Sequence, residues 1–99
     1  MGFSIFYTKD ALKDLEHIKS RITNDCVLIL KKIEGILTIN PFPFGQTIKK
    51  LKNIQPTLYR LRVNASISYR VFYRIVGNSV YVLKIVPKKD ADRLLKRYF

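Results

Sequence analysis

The stretch YRLRVNASISYRVFYRIV, from Tyr59 to Val76, decides the fold. Apolar residues alternate with others at a period of two on both sides of a polar link, which is the pattern of two adjacent strands. Successive strand side chains point to opposite faces. Over 58–63, Arg60 and Arg62 therefore share one face, and Tyr59, Leu61 and Val63 share the other. Over 67–75, Arg70 and Arg74 share a face with Phe72, while Ile67, Tyr69, Val71, Tyr73 and Ile75 take the opposite one. The apolar sets belong against a core, so the four arginines are expected on the opposite, open face.

Working outward, Gly77-Asn78 is a two-residue hairpin signal, since both residues tolerate φ > 0. A third strand follows over 79–86, with Tyr81, Leu83 and Ile85 on one parity and Lys84 with Val80, Val82 and Val86 on the other. Lys84 is thus expected to join the basic face. Pro87 ends that strand, and Asp90–Tyr98 reads as a helix with Ala91, Leu94, Leu95 and Tyr98 along one stripe.

Upstream, Phe3–Tyr7 alternates and is rich in strand formers. Thr8 is placed to cap a helix ending near Arg21, with Asp10 favourable in its first turn and Leu12, Leu15, Ile18 and Ile22 as its apolar stripe. Thr23 or Asn24 would cap a second, more buried helix carrying Val27, Leu28, Ile29, Leu30, Ile33, Ile36 and Leu37. Asn40-Pro-Phe-Pro-Phe-Gly45 stops it. Gln46–Asn53, with Lys49, Lys50 and Lys52, reads as partly extended, and Gln55-Pro56-Thr57 as a turn. The predicted order is β-α-α-β-β-β-α, an α+β fold with an antiparallel meander sheet and a helical hairpin on one face. A length of 99 residues predicts a single domain, 1–99.

Charge is unevenly distributed. The net charge is +12. Residues 1–34 hold six basic and five acidic side chains, residues 35–89 hold ten basic and no acidic ones, and residues 90–99 hold three and two. A segregated positive face implies a polyanionic partner: nucleic acid, an acidic protein or anionic lipid. The single cysteine, Cys26, excludes an intramolecular disulfide, and its apolar neighbours predict a buried, inert thiol. His17, the only histidine, reads as a surface residue. With one His and one Cys no zinc site is expected, and no cofactor motif is visible. No apolar run is long enough to span a membrane. The N-terminus has no basic-then-hydrophobic leader, and Gly2 lacks the Ser or Thr at position 6 that myristoylation requires. These features predict a soluble, cytoplasmic protein.

Neighbouring strands lie about 4.8 Å apart, so the arginines are crowded, and like charges opposed across strands destabilise a sheet. Guanidinium forks suit phosphate oxygens. Phe72 and Tyr59 would stack on bases if exposed.

The order of elements, with Leu58-Tyr-Arg-Leu-Arg62, Tyr69-Arg-Val-Phe-Tyr73 and Val80-Tyr-Val-Leu-Lys-Ile-Val-Pro-Lys-Lys89, resembles the RelE/ParE superfamily of toxins, as do the opening strand and Thr8-Lys-Asp-Ala-Leu-Lys-Asp-Leu15. The resemblance implies the toxin of a type II toxin–antitoxin module. In its RelE-like form this is a ribosome-dependent endoribonuclease that cuts messenger RNA in the A site and is silenced by a RelB-like antitoxin. In the ParE-like form it is a non-enzymatic inhibitor of DNA gyrase. A plain basic nucleic-acid-binding module is a third reading. The resemblance places the catalytic positions on Arg60, Arg62 and Arg70, with a later basic position at Lys88 or Lys89. We take Lys89 as catalytic, and Lys49, Lys50, Lys52, Arg74, Lys84 and Lys88 as RNA-binding. The superfamily's helix tyrosine falls near Asp92, a departure for which Tyr98 is the candidate substitute. The implied chemistry needs no metal: the RNA 2′-hydroxyl attacks the adjacent phosphate, and arginines stabilise the charge that develops.

Overall fold

The computed structural model describes residues 2–99. Strand β1 (Ser4–Tyr7) leads into helices α1 (Lys9–Arg21) and α2 (Thr23–Lys32), and α2 continues through a π-helical turn, Ile33–Leu37. Strands β2 (Ile48–Lys50), β3 (Tyr59–Asn64), β4 (Ser68–Val76) and β5 (Ser79–Pro87) follow, then helix α3 (Lys88–Tyr98). The sheet order is β1-β5-β4-β3-β2, with β1 parallel to β5 and the other neighbours antiparallel. The α+β class and the β3–β5 meander match the sequence reading. The structure adds β2, whose Ile48 is buried opposite Leu61. Three residues within a lysine-rich run are too few to show alternation.

Thr8 caps α1 as expected: its Oγ1 accepts from Ala11 N at 3.1 Å and donates to Leu83 O at 3.0 Å. The buried stripe is Ala11, Leu15 and Ile18, whereas Leu12 and Ile22 are exposed. Leu15 and Ile18 keep their predicted places, and Ala11 takes that of Leu12. Neither Thr23 nor Asn24 caps α2. The link shrinks to Ile22 alone, in extended backbone, and Thr23 Oγ1 donates back to Lys19 O at 3.1 Å. Ile33 and Leu37, four apart and so on one face of the turn, are both fully buried. Tyr73 Oη then ties the following loop to the sheet by donating to Pro41 O at 2.7 Å.

The main core lies between α1, α2 and one sheet face, built from Leu15, Ile18, Ile29, Leu61, Val71 and Val82 among others. Cys26 is buried in it and His17 is exposed, as predicted. A second apolar cluster, Leu58, Phe72, Ala91 and Leu94, lies on the other face beneath α3. The arginine face is therefore not open throughout, because its central apolar residues need a cover and α3 supplies it. In α3, Tyr98 turns outward and Phe99 packs inward on Phe72, at 6.2 Å between ring centroids.

One parity assignment is corrected. A bulge between Phe72 and Tyr73 in the β4–β5 register inserts Leu83 as an extra residue. The strand then switches faces midway. Val80, Val82 and Ile85 all point to the main core, while Leu83 and Val86 point to α3. Where β1 ends, α1 takes over β5's free edge: Asp14 Oδ2 accepts from Ile85 N at 2.8 Å. Among the described residues, no helix is long and apolar enough to cross a membrane.

Candidate nucleic-acid interface

Three of the four strand arginines are brought together. Arg62 and Arg70 are directly opposed across β3 and β4, and Arg60 lies two residues from Arg62 on the same face, opposite Phe72. Arg70 is 5% exposed, and its Nη1 donates to Tyr69 O at 3.1 Å. Arg60 Nη2 donates to Gln46 O at 3.1 Å. The Nε atoms of Arg60 and Arg62 are buried without a hydrogen-bond partner. Burial, and then the neighbouring Arg62 and Arg70 charges, push the Arg60 pKa below its ordinary value. Burial and Arg62 do the same to Arg70. Each guanidinium thus raises the free energy of its neighbours, and an oxyanion among them relieves that cost.

Arg74 and Lys84, grouped with these residues on the sequence, stand apart. Arg74 pairs with Tyr81 in the sheet register, and its guanidinium lies 5.8 Å from the Phe99 ring. Lys84 forms an ion pair with Asp14 at 3.5 Å and lies 5.6 Å from the Tyr98 ring. Lys84 is neutralised because α1 must satisfy the strand edge beside it. Lys49 pairs with Arg60 and shares its face, whereas Lys50 pairs with Tyr59 and points to the other side. Lys52 is exposed in the loop after β2. Pro87 pairs with Tyr69, so Lys88 and Lys89 leave the sheet one residue beyond the row that holds Arg70 and Val86. Both are exposed, and with Ser68 and Asp92 they line a cleft of about 600 Å³.

The aromatic expectations are corrected. Phe72 is fully buried beneath α3, and Tyr59 stacks on Tyr73 at 5.6 Å on the opposite face, so neither is available to a base. Tyr98 meets Lys84 instead of the triad.

A buried carboxylate missed in the sequence supports the triad from behind. Asp25, in the first turn of α2, is 3% exposed. It accepts hydrogen bonds from Ser66 N at 3.1 Å, from Ser66 Oγ and from Tyr69 Oη at 2.8 Å. These bonds, those from Ser66 foremost, hold its pKa below the ordinary carboxylate value. Burial and the bond to Asp25 push the Tyr69 hydroxyl up to about 12. Asp25 thereby pins the tip of the β3–β4 hairpin, the end at which Arg62 and Arg70 repel one another. An acidic residue in a helix's first turn ordinarily reads as a dipole partner, so nothing in the sequence singled it out.

The fold that carries this cluster is shared with known proteins. A model of the ParE toxin of the parDE type II toxin–antitoxin system matches residues 5–92. The chain belongs to the ParE toxin family. It is a toxin of a type II toxin–antitoxin system. No curated protein sequence matches it. The RelBE2 toxin–antitoxin complex of Mycobacterium tuberculosis contains a similar chain: 21% identity, TM-score 0.70, covering 89% of this toxin and 100% of that chain. A chain of the archaeal RelE–RelB complex of Pyrococcus horikoshii is 25% identical, with TM-score 0.67, covering 89% and 97%. A double arginine mutant of Escherichia coli RelE in the free state is 18% identical, with TM-score 0.68 over 100% of both chains. A chain of the chromosomal ParDE system of Pseudomonas aeruginosa is 14% identical, with TM-score 0.57 over 86% and 95%.

Proposed function

We propose that this toxin, acting as one domain in the cytoplasm, is a ribosome-dependent endoribonuclease that cuts messenger RNA in the A site and arrests translation. The observation that carries this reading is the Arg60–Arg62–Arg70 triad. It is partly buried and mutually repelling, and none of its members is in either ion pair found among the described residues. Guanidinium forks so placed stabilise charge on the non-bridging oxygens of a phosphate as the neighbouring 2′-oxygen attacks phosphorus and the bond to the 5′-oxygen breaks. The 2′-hydroxyl loses a proton and the leaving 5′-oxygen gains one. Arginine does not deprotonate, so Lys89 at the start of α3, or groups of the ribosome, carry the transfer. Lys49 and Lys88 hold flanking phosphates. A RelB-like antitoxin with an acidic, amphipathic segment is the partner expected to silence this surface. The RelBE2 and RelE–RelB complexes among the similar structures support that expectation.

The test is to add the toxin to ribosomes translating a defined message and to map new RNA ends by primer extension, with Arg60→Ala/Arg70→Ala as the control. Cuts at A-site codons, absent with the control and absent on naked RNA, are expected. Unimpaired translation with no cuts would sink the reading.

A second reading has its own support. The matching family is that of ParE, and Tyr98, the candidate for the missing helix tyrosine, lies against Lys84. In that reading the toxin inhibits DNA gyrase without catalysing a reaction. Loss of supercoiling by purified gyrase, with translation untouched, would establish it.

A further inference from the structure

A cavity of about 550 Å³ opens beside the triad, and of its lining only Arg62 takes part in the reaction above. Its walls include Lys32 at the end of α2, Phe44, Gln46 and Thr47 just before β2, and Arg62 and Asn64 on β3. Its volume lies within the roughly 300–1,000 Å³ of small-ligand clefts. Phe44 is 44% exposed although its backbone is fixed, its carbonyl accepting from Ile48 N at 3.4 Å. Gln46 is exposed, and its carbonyl holds Arg60; the Thr47 carbonyl accepts from Arg62 N at 2.9 Å. The cavity is thus fastened to two of the three arginines. Asn64 Oδ1 accepts from Ser68 Oγ at 2.9 Å, which orients its amide. Arg62 Nε, buried and unpartnered, adds an unused donor.

We propose that this cavity is a nucleobase subsite. The base of the nucleotide next to the phosphate held by Arg62 stacks on Phe44. Its edge meets the amides of Gln46 and Asn64, and Lys32 meets the outer phosphate. The proposal rests on the RNA reading of the triad. The lining offers a ring, two carboxamides, which pair with the donors and acceptors of a base, and two cations. This combination fits a nucleotide. An acidic helical peptide, its backbone donors and acceptors bonded within the helix, would use the cations and leave both amides unpaired.

The toxin contains no tryptophan, so Phe44→Trp creates a single fluorescent reporter in the cavity. The probes are a short single-stranded RNA, a matched abasic ribose-phosphate oligomer, and an acidic Glu/Leu-rich helical peptide. The RNA should quench the reporter and the abasic oligomer should not. Phe44→Ala should weaken binding of fluorescein-labelled RNA about 5- to 100-fold while leaving the abasic affinity unchanged. Phe44→Leu, which keeps apolar bulk but loses the ring, gives the same comparison if the alanine variant does not fold. Equal affinities of wild type and both variants for RNA, or equal quenching by the abasic oligomer, would overturn the proposal. Quenching by the peptide alone would also overturn it and would assign the cavity to a protein partner. The two readings fail separately. If Arg60→Ala/Arg70→Ala abolishes ribosomal cleavage while Phe44→Ala binds RNA normally, the subsite is wrong and the nuclease stands. If the toxin cuts nothing yet RNA quenches the reporter, the nuclease is wrong and the subsite stands.

Discussion

Val71 and Phe72 are neighbours on β4 and both are fully buried, but different parts of the chain bury them. Val71 faces α1 and α2, in a cluster that also takes in Leu61, Val63, Val80 and Val82. Phe72 faces α3, with Leu58 and Leu94, and its nearest neighbours along that face of β4 are Arg70 and Arg74. On the first face every strand offers apolar residues, so two helices can lie across it. On the second, apolar residues alternate with cations, so a helix finds footing only at the centre. Arg60 and Arg62 stay partly exposed beside α3, and Arg70 is buried, because the helix finds its apolar footing around Leu58 and Phe72. Phe72→Ala tests this difference most severely. It should cost about 3–5 kcal/mol in denaturant unfolding, and hydrogen exchange should rise most in α3. Undiminished protection of α3 would mean that its hold on the sheet lies elsewhere.

Removing the cation instead of its apolar neighbour should spare the fold and strike the function. Arg70→Ala is expected to lower A-site cleavage by about 10²–10³, the loss typical of deleting one preorganised donor to a developing oxyanion. Arg74→Ala, four residues along the same face, should leave cleavage near wild type, because Arg74 is engaged with Phe99. Equal losses from the two substitutions would show that charge on this face matters and that its arrangement does not.

The contrast also fixes what the sequence could reveal. Period-two alternation identified β3, β4 and the arginine face because those strands are long and unbroken through that region. The same rule misassigned the first half of β5, putting Val80 and Val82 with Lys84 and Leu83 with Ile85, because a bulge adds one residue without leaving a mark in composition. Local pattern placed Lys84 with the arginines, but its partner Asp14 lies 70 residues away on α1. Asp25 meets Ser66 and Tyr69 across 41 and 44 residues. Pairings of that range arise from topology and leave no spacing to read. Hence the cluster of Arg60, Arg62 and Arg70 was legible, while the residues that neutralise or brace its surroundings were not.

Asp25 offers a pH test of the bracing. Its folded pKa is lowered from the ordinary value, so its contribution to stability is fully present above about pH 3.9 and is lost as pH falls through the folded value. The melting temperature of Asp25→Asn should therefore be lower than wild type at neutral pH, with the gap narrowing in acid. If the carboxylate braces the hairpin tip, Asp25→Asn should also reduce cleavage more than a surface substitution of equal thermal cost. A gap that stays constant with pH would assign the role of Asp25 to shape alone.

The smallest expected effect bears most directly on why the triad exists. Arg62 opposes Arg70 across the ladder with no acidic residue between them. Like charges so placed cost about 0.2–1 kcal/mol. Arg62→Ala should therefore raise the denaturation midpoint of the free toxin at low salt. The gain should fade by about 1 M salt, where the screening length falls to about 3 Å. Inorganic phosphate should reverse the ranking, because an anion that binds only the folded protein stabilises it by mass action, and the wild type holds the better site. If Arg62→Ala were less stable at every ionic strength and phosphate changed nothing, the arginines would be ordinary surface side chains whose stems pack on the sheet. A crossing of the two curves as phosphate is added would show a surface that gives up stability when empty and recovers it on binding an anion, which is the behaviour a phosphate-binding site needs.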